Sequence, residues 1–522
     1  MKKFLSLFLI ITVTLAISLV FISCSCNGNQ NNNEEQGIQG EPGRDVLKVQ
    51  VIDGCLWFTY KDAPNNPVNG GRLYEDGAII DWTTELEFYP LNDGTYGVNG
   101  EKTQSLSDII IPEKLNKKVV SAIMPQGFKD CSNLKSIFIP NSIKSVGDGA
   151  FENCSVTEVS CPVDVISSLP KATVKKVVLN GGTYLTANNF VSFDALETLE
   201  IASTFTSISG NAFIGCVSLT NITVKEGNPH YKSIDGNLYS VDDKAIIRYA
   251  PGKQNETFEI PNTLETIGEY AFEGCNSLKS IILPNSVTII EKCAFKDCKN
   301  ISSIEISNST KIIRENAFEN CGIVNATIPL SFISSMPYDT LKNVVITSGE
   351  KILKRTFSYF ENLETINIPS SVTEIESGAF YNCSYIKSIT VDENNQNYKI
   401  IDGCLYTKDV TTLVVYLNTK EDAVFEVPNT VTNICTSAFY NCTNLTSVKL
   451  PNGLVSIDEF AFEECKNLTS VNIPSSVVNI ANGAFVVCEN LTIYCESESI
   501  PSTWCEHWNP DNRPVELGSK SE

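Results

Sequence analysis

The chain is 522 residues long, 42% hydrophobic and 19% charged, with 39 Lys+Arg against 61 Asp+Glu and a formal charge of −22. That much apolar material excludes a disordered chain, and the acidity excludes a surface that grips nucleic-acid phosphates. Only two histidines, His230 and His507, stand among 19 cysteines, which leaves little room for His-based catalysis or His-rich metal sites.

At the N-terminus, Lys2 and Lys3 precede an uncharged, mostly apolar run from Phe4 to Ile22. A basic end followed by a hydrophobic segment predicts export. The run is longer than the usual signal-peptide core of about 7–15 residues, so an uncleaved transmembrane anchor competes with cleavage. Ser23-Cys24 at its end, followed by the polar stretch from Ser25 to Glu35, resembles the lipobox and tether of bacterial lipoproteins. That resemblance implies a signal peptide over 1–23, lipidation at Cys24 and a flexible anchored linker over 24–45. Phe21 departs from the Leu usual in that family, Cys26 is a second candidate, and ordinary secretion is a third route. Residues 46–85 predict a small β segment of unknown type.

From there one period organises the chain. A phenylalanine after a small residue recurs at 128, 151, 190, 213, 272, 295, 318, 357, 380, 439, 462 and 485, and seven of the eleven intervals are 23 residues. Two intervals are 39 and two are 59, and a block of 167 residues is repeated, 151–317 and 318–484. Within a unit, Leu278, Ile281 and Leu283 give the spacing L-x-x-L-x-L, whose end alternates as a strand with one buried face does. A proline stands eleven residues before the next marker at 140, 261, 284, 369, 428, 451 and 474. Without an N–H it cannot extend a ladder, so it turns the chain. A lone 23-residue coil cannot bury its apolar face, whereas stacked coils share a continuous core. The expectation is a right-handed repeat solenoid of about 12 coils over 128–495, mostly β with short helical turns and a parallel β-sheet on one face, closed by a cap and tail over 496–522.

The 23-residue unit, as in residues 262–284 (NTLETIGEYAFEGCNSLKSIILP), resembles the repeat of BspA-like leucine-rich-repeat surface proteins. Twelve registered copies carry the likeness across about residues 86–515, and residues 86–98 with the run Asp108 to Pro112 are similar to the family's opening cap, which implies an N-terminal cap over 86–127. Trp504 and Trp508 fall in what resembles the closing segment, where they are expected to plug the core. Each 59-residue interval holds 36 extra residues with the motif I-D-G-x-L-Y, at Ile234 to Tyr239 and Ile401 to Tyr406, which predicts a β-hairpin projecting from the stack. Ile52, Asp53, Gly54 and Leu56 echo it.

Ten cysteines stand three residues after a marker, and phenylalanine takes their place at 193 and 360. The column therefore predicts buried apolar bodies rather than thiolates, with cross-links between neighbouring coils left open. Cys505, Glu506 and His507 are adjacent but lack an oxyanion hole, and no cofactor, metal or enzymatic activity is expected. Asp242 and Asp243 lack calcium-ligand spacing. Ligand contact is expected instead on the concave sheet, at Phe138, Ser280, Ile282, Glu305, Thr390, Lys449 and Asn472. The family resemblance implies a surface-exposed, membrane-tethered binding protein, an adhesin for host matrix proteins or other cells. A passive surface coat without a specific soluble ligand is the alternative.

Overall fold

A computed structural model describes residues 46–52, 55–60, 63–72, 85–187 and 189–519. The expected signal peptide, Cys24 and the linker lie outside the described residues. The chain divides into two compact units, Met1–Cys154 and Ser155–Glu522.

In the first unit, Val46–Ile52, Cys55–Tyr60 and Ala63–Arg72 form an antiparallel sheet in which Ile52 pairs with Cys55. Next comes the hairpin of Glu87–Pro90 with Tyr96–Asn99, whose second strand runs parallel to Lys118–Ile123. Asp108–Ile110 pairs in parallel with Ser136–Phe138. Phe128 stacks on Phe151, with ring centroids 5.7 Å apart.

The second unit is a stack of coils with two parallel ladders. The long ladder runs through Glu158–Pro162, Lys176–Gly181, Thr198–Ile201 and Asn221–Val224. It continues as seven strands from Thr257–Glu259 to Ser388–Val391 and ends as five from Val424–Glu426 to Val515–Leu517. Residues alternate along each strand: in Thr365–Ile368, Ile366 and Ile368 are buried and Thr365 and Asn367 half-buried. Marker phenylalanines 23 residues apart stack on one another; Phe272, Phe295 and Phe318 lie 5.0 and 5.3 Å apart with nearly parallel rings. The prolines open turns in which the residue three further on donates its N–H back to the proline carbonyl, as Val287 does to Pro284 at 3.1 Å.

Among the described residues the long ladders hold eighteen rungs, not the twelve expected from phenylalanine. Each 39-residue interval conceals a coil of only 18 residues, so that Asn325 pairs with Asn343. A 3-10 turn, Val163–Ser168 or Leu330–Ser335, closes that coil, and Ile166 or Ile333 fills the wall in place of a ring. Each 59-residue interval contains an ordinary 23-residue coil whose marker is tyrosine: Tyr249 stacks on Phe272 at 5.3 Å and Tyr416 lies 5.2 Å from Phe439. Trp508, 23 residues after Phe485, meets that ring edge-on at 6.0 Å, and Trp504 packs against Trp508 at 5.0 Å.

The insertions are correspondingly smaller than 36 residues and do not simply project. Tyr231–Ile234, Asn237–Ser240 and Ala245–Arg248 form an antiparallel meander, and its last strand then leads the short parallel ladder through Thr266–Ile267, Ile289–Ile290 and Ile312–Ile313. Leu238, Tyr239 and Ile246 are buried in the process. Asp235 and Gly236 both have positive φ, 48° and 72°, as do Asp402 and Gly403 at 48° and 78°. A two-residue hairpin loop whose twist suits the flanking strands needs that conformation, which explains the Asp-Gly pair in the motif.

Candidate functional site

The long ladder presents one face to solvent, because successive side chains on a strand point to opposite sides. In the second unit its first outward column is Thr257, Ser280, Ser303, Asn325, Asn343, Thr365 and Ser388, paired rung to rung. Small polar side chains here bond to one another: Asn343 donates to Asn325 at 2.8 Å and Thr365 to Asn343 at 2.7 Å. The second outward column is Glu259, Ile282, Glu305, Thr327, Val345, Asn367 and Thr390. Ile282 is 58% exposed beside Glu259, with Glu305 on the following rung. Asn367 donates to Thr390 at 2.9 Å.

Of the residues expected on this face, Ser280, Ile282 and Glu305 come together on adjoining rungs. Thr390 lies at the far end of the same sheet, while Lys449, flanked by Glu426 and Asn472, belongs to the next. The seven residues are therefore several patches rather than one site, since the insertions interrupt the ladder. Phe138, expected to be open, is half-buried on its strand in the first unit.

The cysteine column is occupied as expected by buried side chains, half-buried at Cys383, and the sixteen cysteines whose side chains are described are free thiols. They do more than fill space. Cys298 donates to the carbonyl of Phe272 at 3.0 Å, Cys321 to Phe295 at 2.9 Å, and Cys465 to Phe439 at 3.0 Å. Burial pushes the thiols of Cys216, Cys275 and Cys383 up to about 12, so these are not nucleophiles at neutral pH. Asp243 is taken up by Lys232 at 2.6 Å, and Asp242 accepts the Ser240 hydroxyl at 2.6 Å. No group of three or more metal-ligating side chains occurs among the described residues. Glu506 and His507 are exposed on a turn beside the tryptophan plug, and Cys505 is half-buried there.

Two features escaped the reading of the sequence. One is a buried ion pair: Arg248, wholly buried, reaches Glu273 at 3.1 Å and donates to the carbonyls of Tyr270 and Glu273. The other is a set of exposed tyrosines, Tyr338, Tyr359 and Tyr385, on the wall that carries the marker turns. Comparing residues 167 apart for differences singles out these residues, but not that they meet in the fold.

The family model for the BspA type leucine rich repeat region matches residues 101–176, 171–243, 251–348, 334–421 and 415–503. Similar solved structures include a leucine-rich repeat protein from Bacteroides ovatus ATCC 8483, 23% identical, covering 85% of this chain and 100% of that one with a TM-score of 0.36. A leucine rich cell surface protein from Faecalibacterium prausnitzii A2-165 is 21% identical over 84% of this chain and 94% of its own, with a TM-score of 0.25. A leucine-rich repeat protein from Eubacterium ventriosum ATCC 27560 is 17% identical over 81% of this chain and 96% of its own, with a TM-score of 0.31. No curated protein matches the chain.

Proposed function

This chain belongs to the proteins with BspA-type leucine-rich repeats, and from that premise we propose that it is a surface-exposed binding protein, tethered to a membrane through Cys24, whose partner is another protein. The observation that carries the proposal is Ile282, an exposed aliphatic side chain on a rigid sheet with Glu259 and Glu305 around it. An apolar anchor ringed by charge is the pattern by which a small part of a protein surface supplies most of the binding energy. The acidic rim and the −22 charge favour a basic partner surface and a salt-sensitive association rate. A matrix protein or the surface of another cell is the class of partner proposed. Among the described residues no helix is long and apolar enough to cross a membrane.

The test uses cells displaying the full chain and immobilised collagen, fibronectin and laminin. The proposal expects saturable capture by at least one of them, weakened about tenfold or more by Ile282→Asp, with Cys24→Ala releasing the protein into the medium while the released protein still binds. Self-association without saturable capture would favour the passive coat. A Cys24→Ala protein that stays with the membrane would remove the lipid tether.

A further inference from the structure

The 167-residue duplication supplies an internal control, because two copies of one scaffold separate what the stack requires from what it tolerates. Rings of the marker column agree between them: Phe213 with Phe380, Tyr249 with Tyr416, Phe272 with Phe439, Phe295 with Phe462. On the marker-turn wall they disagree. Tyr338, Tyr359, Tyr381, Tyr385, Tyr440 and Phe460 stand where the first copy has Lys171, Ser192, Ile214, Ser218, Glu273 and Cys293. The fold is built in the first copy without a single one of these six rings, so packing of the stack does not require them.

These side chains frame a cleft of about 430 Å³ lined by Tyr338, Tyr359, Tyr381, Arg355, Glu361 and Asn382, together with Ser358. Tyr338 and Tyr359 are 63% and 69% exposed. Tyr381 is held from behind by Tyr440 at 5.9 Å and by the edge of Phe460 at 6.3 Å, and the Arg355 guanidinium lies 5.2 Å from its ring. Tyr440 donates its hydroxyl to the Asn382 carbonyl oxygen at 2.9 Å, which leaves the Asn382 amide nitrogen for a ligand. Neither Arg355 nor Glu361 has an ion-pair partner among the described residues.

Every lining residue carries a hydrogen-bonding group and none is aliphatic. An apolar ligand or a hydrophobic peptide anchor would meet the wrong walls. A polyanion would meet Glu361 in a chain of charge −22. A pyranose ring fits both properties at once, since its C–H face is weakly positive and its rim is all hydroxyl. Aromatic faces are electron-rich and attract such C–H groups, while Arg355, Glu361 and Asn382 supply donors and acceptors for the rim. The volume lies within the roughly 300–1,000 Å³ typical of small-ligand sites. We propose that this cleft is a saccharide-binding site for a neutral pyranose unit, formed on the turn wall and independent of the ladder face proposed to bind protein.

Calorimetric titration of the full chain with maltohexaose, cellohexaose and the hexamer of N-acetylglucosamine tests this. Saturable heat is expected from at least one of the three, weakened about tenfold or more by Tyr359→Ala and by Arg355→Ala. Tyr184→Ala, at a tyrosine 60% exposed in the first copy, should leave it unchanged. Tyr359, Arg355 and Tyr184 are all exposed, and coincident melting curves would show that the fold is intact. No saturation by any of the three up to roughly 10 mM, or binding indifferent to Tyr359→Ala, would overturn the proposal. So would a polylysine peptide that binds through Tyr359 while all three saccharides fail, which would make the cleft a peptide site.

Discussion

Seven of the ten cysteines in the repeat column lie where the preceding coil leaves the carbonyl of its marker phenylalanine pointing inward. The thiol is small and apolar enough to be buried, and it still offers a weak donor to that oxygen, as Cys488 does to Phe462 at 3.0 Å. Sequence reasoning recognised the buried body but missed the donor, because the acceptor sits 26 residues earlier and becomes a neighbour only through stacking. Tyr249 shows the opposite relation. It stands in the ring column with its hydroxyl buried and without a partner, and burial pushes that phenol up to about 12. A buried hydroxyl that has lost water without gaining a bond costs about 1–3 kcal/mol. Tyr249→Phe, the residue most other coils use, is therefore expected to stabilise the second unit by about 1 kcal/mol, seen as a higher midpoint in denaturant melts. An unchanged or lower midpoint would mean that the hydroxyl has a partner.

Coils that depart from the 23-residue pattern show how an element adapts without breaking the stack. The 18-residue coil gives up its ring and its long turn for a 3-10 turn, yet keeps a strand in register, with Glu158 opposite Lys176 and Asn325 opposite Asn343. It was invisible to a count of phenylalanines because the wall position is aliphatic there. The inserted meander carries a second adaptation. In the first copy its last strand ends at Arg248, whose buried guanidinium requires the Glu273 carboxylate; in the second copy the same two positions are Val415 and Tyr440. Breaking a buried pair from one side strands a charge at a cost of about 3–5 kcal/mol, whereas replacing both partners is often neutral or better. Glu273→Ala should accordingly lower stability by several kcal/mol, and Arg248→Val with Glu273→Tyr should recover most of it. If the double variant melts no higher than Glu273→Ala, the two positions do not form a unit. Expected site residues fared unevenly for the same geometric reason. Alternation along a strand told which residues face outward, but it could not tell how many rungs lie between Ile282 and Lys449, nor that the insertions would part them into separate sheets.

Across the whole molecule, coils touch mainly their neighbours, so stability is close to a sum of coil and interface contributions rather than a single cooperative total. Phe295→Ala removes a ring stacked on both sides, a loss of about 3–5 kcal/mol. Hydrogen exchange should then accelerate at Ser280–Ile282 and Ser303–Glu305, while Ser447–Lys449 and Ser470–Ile473 keep their protection. Uniform loss of protection throughout the second unit would contradict a stack of semi-independent coils. The period, the buried columns, the parallel ladder and the family resemblance were all legible in the amino-acid order, because a coil that repeats must place like side chains above one another. Three matters were decided only by the tertiary structure: the hidden coils led by tyrosine, aliphatic residues and Trp508, the buried Arg248–Glu273 pair, and the tyrosine cleft. Each depends on which coils come to lie side by side, and interval lengths of 39 and 59 leave that undetermined until the chain closes on its own neighbours.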